Sequence, residues 1–399
     1  MKRLECLDGL RGALAVYVVL GHMAPFAMLP RWFETASGHG GAAVDIFFIL
    51  SGLVIAQSLD RLRGDRRRFL VARLLRIYPV FLPVFVVALL VQPLPCGFDQ
   101  MPWVGPDSAA RYICSSHWDM RWQIEIAAHL FMVHGLFPTG VLPDVWVSFL
   151  GAAWSLSTEW QFYILAMFAW RLGERRITAG LMLLAFAALA WHLAAPQGWQ
   201  FSRAFLPNKA HFFALGLASH AVMQRRHGAL IGFGMTLALT TAICAIDGRI
   251  GKLLPPLIWT ACLAAQSPHD IPGLTQLHRL LSSRVALWFG SISFPLYLVN
   301  EPVHKVLAPL VSRFAAGDAM LFTIVWVPTC LSISVLAAAW LNRHIEAPAM
   351  RLRHSLVFEP QPSGSRPTLR AEPLAATPLT TALGARTQPV TVQGAERGL

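Results

Sequence analysis

Charge is what this sequence has least of. Asp, Glu, Lys and Arg make up 14% of its 399 residues, against about 25% in ordinary soluble domains, while 55% of the residues are apolar. That balance excludes a water-soluble globule and reads as a polytopic membrane protein. Cysteine is sparse as well: the chain has six. No C-x-x-C occurs, so neither a zinc framework nor a dithiol redox motif is expected. Cys6 lies near the start and Cys244, Cys262 and Cys330 lie in apolar runs. Cys96 and Cys114 share one loop and can pair if that loop faces an oxidising compartment. G-x-S-x-G, H-E-x-x-H, P-loop and H-x4-D motifs are all missing. The basic excess, 33 Lys and Arg against 21 Asp and Glu, does not mark a nucleic-acid binder. The arginines gather in alternate loops, as the positive-inside rule requires. A cleaved signal peptide is not expected, because Asp8 and Arg11 interrupt the first apolar run.

What is present is a series of apolar stretches long enough to cross a bilayer. The first, Leu7 to Pro30, carries Arg11 near one end and His22 well inside. These two are eleven positions apart, about 16 Å and close to three turns along a helix, so they share a face. Ionisable groups inside a span usually face a bundle interior or a cavity. Arg11 is read as the cytoplasmic mouth of such a cavity and His22 as its deeper, reactive group. The second stretch, about Gly41 to Gln57, returns with Asp45 a little inside its outer end. Asp45 either stands beside His22 and orients the imidazole or caps the start of its own helix. Arg66, Arg67, Arg68, Arg73 and Arg76 form the strongest basic cluster. Most of them suit topological anchoring beside anionic lipid. Arg73 and Arg76 recur on one helical face just before Pro79, where guanidinium forks can grip a phosphorylated ligand.

Residues 92–123 are rich in Pro, Gly, Trp and Cys and read as an external loop. Ile124–Phe137 is apolar but short and reads as re-entrant or interfacial. In Trp146–Trp170, Glu159 sits mid-run and needs a partner, with Arg11 or His22 as candidates. Further crossings fall at about Ile177–Ala195, Pro207–Met223, Ala229–Ile246, Leu253–Gln266, Arg284–Leu307 and Met320–Leu341. The expected architecture is all-α: a polytopic membrane bundle of about ten transmembrane helices with one re-entrant or interfacial segment. It comprises a membrane domain over residues 1–355 and a disordered cytoplasmic tail over 356–399, with both termini cytoplasmic. One His, two intramembrane carboxylates and a basic mouth suit a general base acting on a hydroxyl, with a phosphorylated donor on the cytoplasmic side. A transporter using the same groups as a proton relay and a catalytically dead scaffold are the rival classes.

Six blocks occur in order: LDGLRG to GH over Leu7–His22, VDIFFILSG at Val44–Gly52, RLLRIYP at Arg73–Pro79, WSLSTEWQFY at Trp154–Tyr163, SISFPLYLVNEPV at Ser291–Val303 and IEAPAMRL at Ile345–Leu352. Together they resemble the acyltransferase-3 family of integral membrane O-acyltransferases, over about Leu4 to Arg353. Its members modify O-antigen, exopolysaccharide, peptidoglycan, Nod factors and macrolides. The resemblance implies acyl-CoA as cytoplasmic donor, acetyl as the usual acyl group and a sugar hydroxyl as the usual acceptor. No cofactor beyond the donor and no metal are implied, and the home is a bacterial inner membrane. It implies His22, Asp45 and Glu159 as catalytic residues and Arg11, Arg73 and Arg76 as donor-binding residues. Trp154, Ser155, Tyr297 and Asn300 are implied as acceptor or supporting residues. Asn300 departs from the family pattern, which carries His there; Asn is no acid or base near neutral pH and is left with hydrogen bonding. A glycan or lipid-linked sugar is the expected acceptor, a small secondary metabolite the alternative.

Overall fold

The computed structural model describes residues 4–114, 118–246, 250–266 and 271–358; the tail from 359 onward lies outside them. Among the described residues the fold is all-helical, with no strand beyond an isolated bridge between Pro138 and Phe201. The helices are α1 (Glu5–Met23), α2 (Arg31–Ser37), α3 (Gly40–Arg61), α4 (Arg66–Val91), α5 (Ala109–Ile113), α6 (Trp122–Leu130), α7 (Trp154–Ala169) and α8 (Glu174–Ala194). They continue with α9 (Ala210–Met223), α10 (Ala229–Ile246), α11 (Leu254–Ala264), α12 (Pro272–Leu281), α13 (Arg284–Ala315), α14 (Ala319–Leu341) and α15 (Ala347–Arg353).

Among the described residues, six segments are long and apolar enough to cross a membrane: Glu5–Phe26, Arg31–Arg61, Arg66–Val91, Glu174–Ala194, Ala229–Ile246 and Ala319–Val357. The count of about ten is not reached by this measure, for physical reasons. Helices α7, α9 and α11 have 16, 14 and 11 residues, short of the roughly 20 that a span requires. Helix α13 has 32 residues, but Asn300, Glu301 and Lys305 dilute its apolar run. The 124–137 stretch carries a nine-residue helix and a 3-10 turn at His134–Leu136. It is too short to cross. The faces of α4, α8, α10 and α14 are studded with exposed Leu, Ile, Val and Phe, the surface that lipid covers in a membrane protein.

Helices α1 and α13 run side by side in the same direction and form the spine of the site. Their contact is close because it is lined by glycine. A Cβ on Gly12 would stand 2.5 Å from the Gly290 backbone nitrogen, and one on Gly290 would stand 2.3 Å from the Asp8 carbonyl oxygen. Small residues let helix backbones approach inside a membrane. Gly12→Val is therefore expected to push α1 off α13, at about 1–3 kcal/mol for overpacking. Thermal unfolding of the purified protein checks this, and an unchanged transition would contradict it. A second close crossing, Gly52 of α3 on Gly216 of α9, fixes the other side of the bundle.

Proline shapes α13. Pro295, Pro302 and Pro309 lie inside it, and each deprives the carbonyl four residues earlier of its amide partner. The carbonyl of Ser291, freed by Pro295, accepts a hydrogen bond from Asn342 Nδ2 at 2.9 Å. At the opposite end of the bundle Cys96 and Cys114, whose pairing the sequence leaves open, form a disulfide. The loop it closes packs over Met23, Phe26, Val311 and Trp326. Trp103 donates to the Phe26 carbonyl and Ser108 to the Pro25 carbonyl. The turn just after His22 is thus clamped from above. The bundle has a disulfide end and, opposite, a basic end bearing Arg66–Arg68.

Candidate active site

A cavity of about 590 Å³ lies at the basic end, walled by α1, α3, α4, α7, α13 and the C-terminal helical turns. Arg11, Arg61, Arg73, Arg76 and Arg353 line it, with Asp8, Glu159 and Glu346 as the acidic counterpart. Of the expected donor residues, Arg11, Arg73 and Arg76 are all present. Arg73 is buried, donates from Nη2 to Ser58 Oγ at 2.9 Å and stacks near the Phe69 and Tyr163 rings. Arg76 pairs with Glu346 and lies over the Phe294 ring. Arg66, Arg67 and Arg68 are exposed and do not line the cavity; Arg66 covers Phe168 and Arg68 pairs with Asp65.

Glu159 lines this cavity too. Its expected partners were Arg11 or His22. Its hydrogen bond comes instead from the Tyr163 hydroxyl at 2.5 Å, one turn along α7, with Arg11, Arg73 and Arg76 in electrostatic reach. His22 is not brought to it.

On α13 the cavity lining runs from Gly290 to Tyr297 and stops. Tyr297 closes it. The Tyr297 hydroxyl sits 2.9 Å from the Ala152 carbonyl oxygen and 3.0 Å from Ser155 Oγ. Of the two residues implied as supporting on α7, Ser155 lines the cavity and Trp154 does not. Trp154 packs edge-on against Phe48, with Arg203 and Lys209 near its ring.

Immediately beyond that wall stands His22. Its Nδ1 lies 2.8 Å from Asn300 Oδ1 and 3.6 Å from Glu301 Oε1. The parallel packing of α1 and α13 produces this meeting: Gly12 opposes Gly290, so His22, ten residues on, opposes Asn300. The Asn300 amide has a defined orientation, because its Nδ2 donates to the carbonyls of Leu296 and Tyr297 at 3.3 and 2.6 Å. Its oxygen therefore faces His22 and can only accept. Nδ1 of the ring must carry the proton, leaving the Nε2 lone pair as the base. Asn300 thus keeps a role without any acid–base chemistry of its own. Glu301 was missed in the sequence, although the argument applied to Asp45 and Glu159 covers any carboxylate inside an apolar helix. Glu301 Oε2 accepts from the Ala152 amide at 3.0 Å, tying His22 to the wall.

Asp45 does not meet His22, which corrects that expectation. It is buried and pairs with Lys209 Nζ at 2.6 Å. The cause is depth. The Tyr17 hydroxyl reaches the Ala36 carbonyl and the His39 amide donates back to it, so the connection after α1 folds back. Helix α3 starts level with Tyr17 and its sixth residue lies well below His22. Nor does Asp45 cap α3: the cap position is His39 and the first turn carries no acidic residue.

A family profile described as an acyltransferase domain matches residues 4–343. The acyltransferase MdmB of Streptomyces mycarofaciens is 26% identical over 412 aligned positions, covering 90% of this chain and 96% of that protein. Protein 2 in the picA locus of Rhizobium radiobacter is 30% identical over 110 positions, covering 25% of this chain and 54% of that protein. No solved structure matches.

Proposed function

The chain belongs to the acyltransferase-3 family of membrane acyltransferases, and from that premise we propose that it moves an acyl group, acetyl by resemblance, from acyl-CoA in the basic cavity to a hydroxyl presented beside His22. The observation that carries this reading is the wall of Tyr297, Ser155 and Ala152, which parts an arginine-lined cavity from a histidine of defined tautomer. Donor and acceptor approach it from opposite sides.

The steps follow from the geometry. Arginines hold the donor's phosphates. The thioester carbonyl reaches the Tyr297 and Ser155 hydroxyls, where an O–H donates to the oxygen as negative charge develops on it. His22 Nε2 removes the proton of the acceptor hydroxyl, the alkoxide attacks the carbonyl carbon and the C–S bond breaks. The proton then passes to the thiolate, leaving an ester and free CoA. Glu301 faces the imidazolium formed on the way and stabilises it, and Asn300 holds the ring's tautomer.

The acceptor is proposed to be a sugar hydroxyl of an exported or cell-surface glycan, and the home a bacterial inner membrane with both termini in the cytoplasm. The test compares ester-linked acetyl on surface glycans by NMR in the intact strain and in a deletion. Loss in the deletion supports a glycan acceptor. Unchanged glycan acetyl with loss of an acylated excreted small molecule moves the acceptor to that class. On the donor side, Arg73→Ala is expected to raise the apparent KM for acetyl-CoA about tenfold or more, the weight of a lost charge-assisted hydrogen bond. An unchanged KM would take Arg73 out of the donor site.

A further inference from the structure

The lining of the cavity changes character from one end to the other. Its arginines stand toward the basic end, whereas the end closed by Tyr297 is walled by hydrocarbon around the Tyr297 and Ser155 hydroxyls. On α3 the lining face runs inward from Arg61 through Ser58 and Ser51 to Phe48, Phe47 and Val44, at the three- and four-residue spacing of one helical side. Asp45, next to Val44, turns away to Lys209 and brings no charge to this end. Across from α3, Leu156 follows Ser155 on α7 and lines the same end. Val44, Phe48 and Leu156 are buried, and the Phe48 ring is held edge-on to Trp154 at 5.6 Å and 5.0 Å from Phe213. Phe47 differs from them. It is only partly buried, and its ring centroid stands 6.2 Å from that of Tyr297.

We infer that this closed end is the acyl slot of the enzyme and that Phe47 is its floor, limiting the donor to short, uncharged acyl groups. The inference rests on the acyl-CoA reading above and goes further. Acetyl entered that reading by resemblance alone, whereas here the size of the acyl group is assigned to a side chain. A thioester carbonyl held at the Tyr297 and Ser155 hydroxyls leaves its acyl carbons against Val44, Phe47 and Leu156. These side chains suit hydrocarbon and offer no hydrogen bond. A charged acyl group would find no counter-charge among them and would lose its hydration for nothing. The Phe47 and Tyr297 rings stand at the ordinary separation of an aromatic pair, so a longer chain cannot pass between them without moving one. Added methylenes in a filled site force side chains off their rotamers. Phe47 is therefore a specificity-determining residue that acts by volume and takes no part in bond making.

The test titrates CoA, acetyl-CoA, butyryl-CoA and hexanoyl-CoA into purified full-length protein by calorimetry, a measurement that needs no acceptor. Wild type is expected to bind hexanoyl-CoA about tenfold or more weaker than acetyl-CoA, the weight of forcing methylenes into a filled site. Phe47→Ala is expected to raise the affinity for hexanoyl-CoA relative to acetyl-CoA by about tenfold or more, because the added carbons occupy the vacated space. Affinity for CoA itself should hardly change, which separates a lost floor from a damaged cavity. Phe47→Leu keeps an apolar side chain and should bring butyryl-CoA closer to acetyl-CoA, so it tests the idea even where Phe47→Ala fails to fold. A hexanoyl-to-acetyl ratio unchanged in Phe47→Ala together with a butyryl-to-acetyl ratio unchanged in Phe47→Leu overturns the slot, as do equal losses with every ligand. Wild type that binds hexanoyl-CoA as tightly as acetyl-CoA overturns Phe47 as a floor while leaving the donor reading standing. No binding of CoA or of any thioester overturns the donor reading and the slot with it.

Discussion

Replacing His22 with Gln is expected to lower acyl-transfer turnover by about 10²- to 10⁴-fold, the usual weight of general acid–base assistance. The apparent KM for the donor should change little, because His22 does not line the cavity assigned to the donor. Gln is the informative replacement, since it keeps a polar group opposite Asn300 Oδ1 and removes only the base. Asn300→Ala should reproduce part of the loss by a different route. With no acceptor on Nδ1, the ring redistributes between tautomers, and the fraction with a free Nε2 lone pair falls. Its signature is a lower kcat with a shifted pH–rate profile, not the uniform loss expected of His22→Gln. Acyl transfer measured across pH for both variants separates them. His22→Gln with full turnover would remove His22 from the chemistry.

The helical nature of the chain and the place of most of its long helices were legible in hydropathy and punctuation. Helices α8, α10 and α14 begin and end within a few residues of the apolar runs that announce them. By spacing alone, three turns of one helix put Arg11 and His22 in one cavity; Arg11 does line it, but His22 stands outside its lining, beyond Tyr297. What stayed illegible was relative depth. Nothing local in 31–39 says that this connection folds back beside Tyr17, so hydropathy leaves α3 a turn or more too high and leaves open an Asp45 beside His22 that the fold excludes. The resemblance marks Asn300, but its contact with His22, like that of Glu301, stays hidden for a related reason. Their meeting with His22 depends on Gly12 facing Gly290, a long-range match that hydropathy does not encode. The arginines of the mouth were partly legible. Arg73 and Arg76 stood out by spacing, whereas Arg61 and Arg353 join them only through the fold.

Removing Asp45 is expected to be the most damaging single change to folding. Lys209 would remain as a buried ammonium, its side chain 8% exposed, against the ring faces of Trp154 and Phe212 and within electrostatic reach of the cations Lys252 and Arg203. Breaking a buried pair on one side costs about 3–5 kcal/mol, whereas exchanging both partners for apolar groups is often neutral. Asp45→Ala should therefore accumulate poorly and unfold at lower temperature, and the double variant Asp45→Leu with Lys209→Met should recover much of that loss. The double variant also decides between two meanings of Asp45. A carboxylate that served the imidazole would leave a folded but inactive enzyme. An ion pair that fastens α3 to the turn before α9 would leave a folded enzyme turning over within a few-fold of wild type. The structure favours the second, because the carboxylate's bonded oxygen is spent on Lys209 and the carboxylate in His22's reach is Glu301 of α13. Thermal unfolding and acyl transfer measured on the same preparations give the answer. A stable double variant without turnover would return Asp45 to the catalytic group.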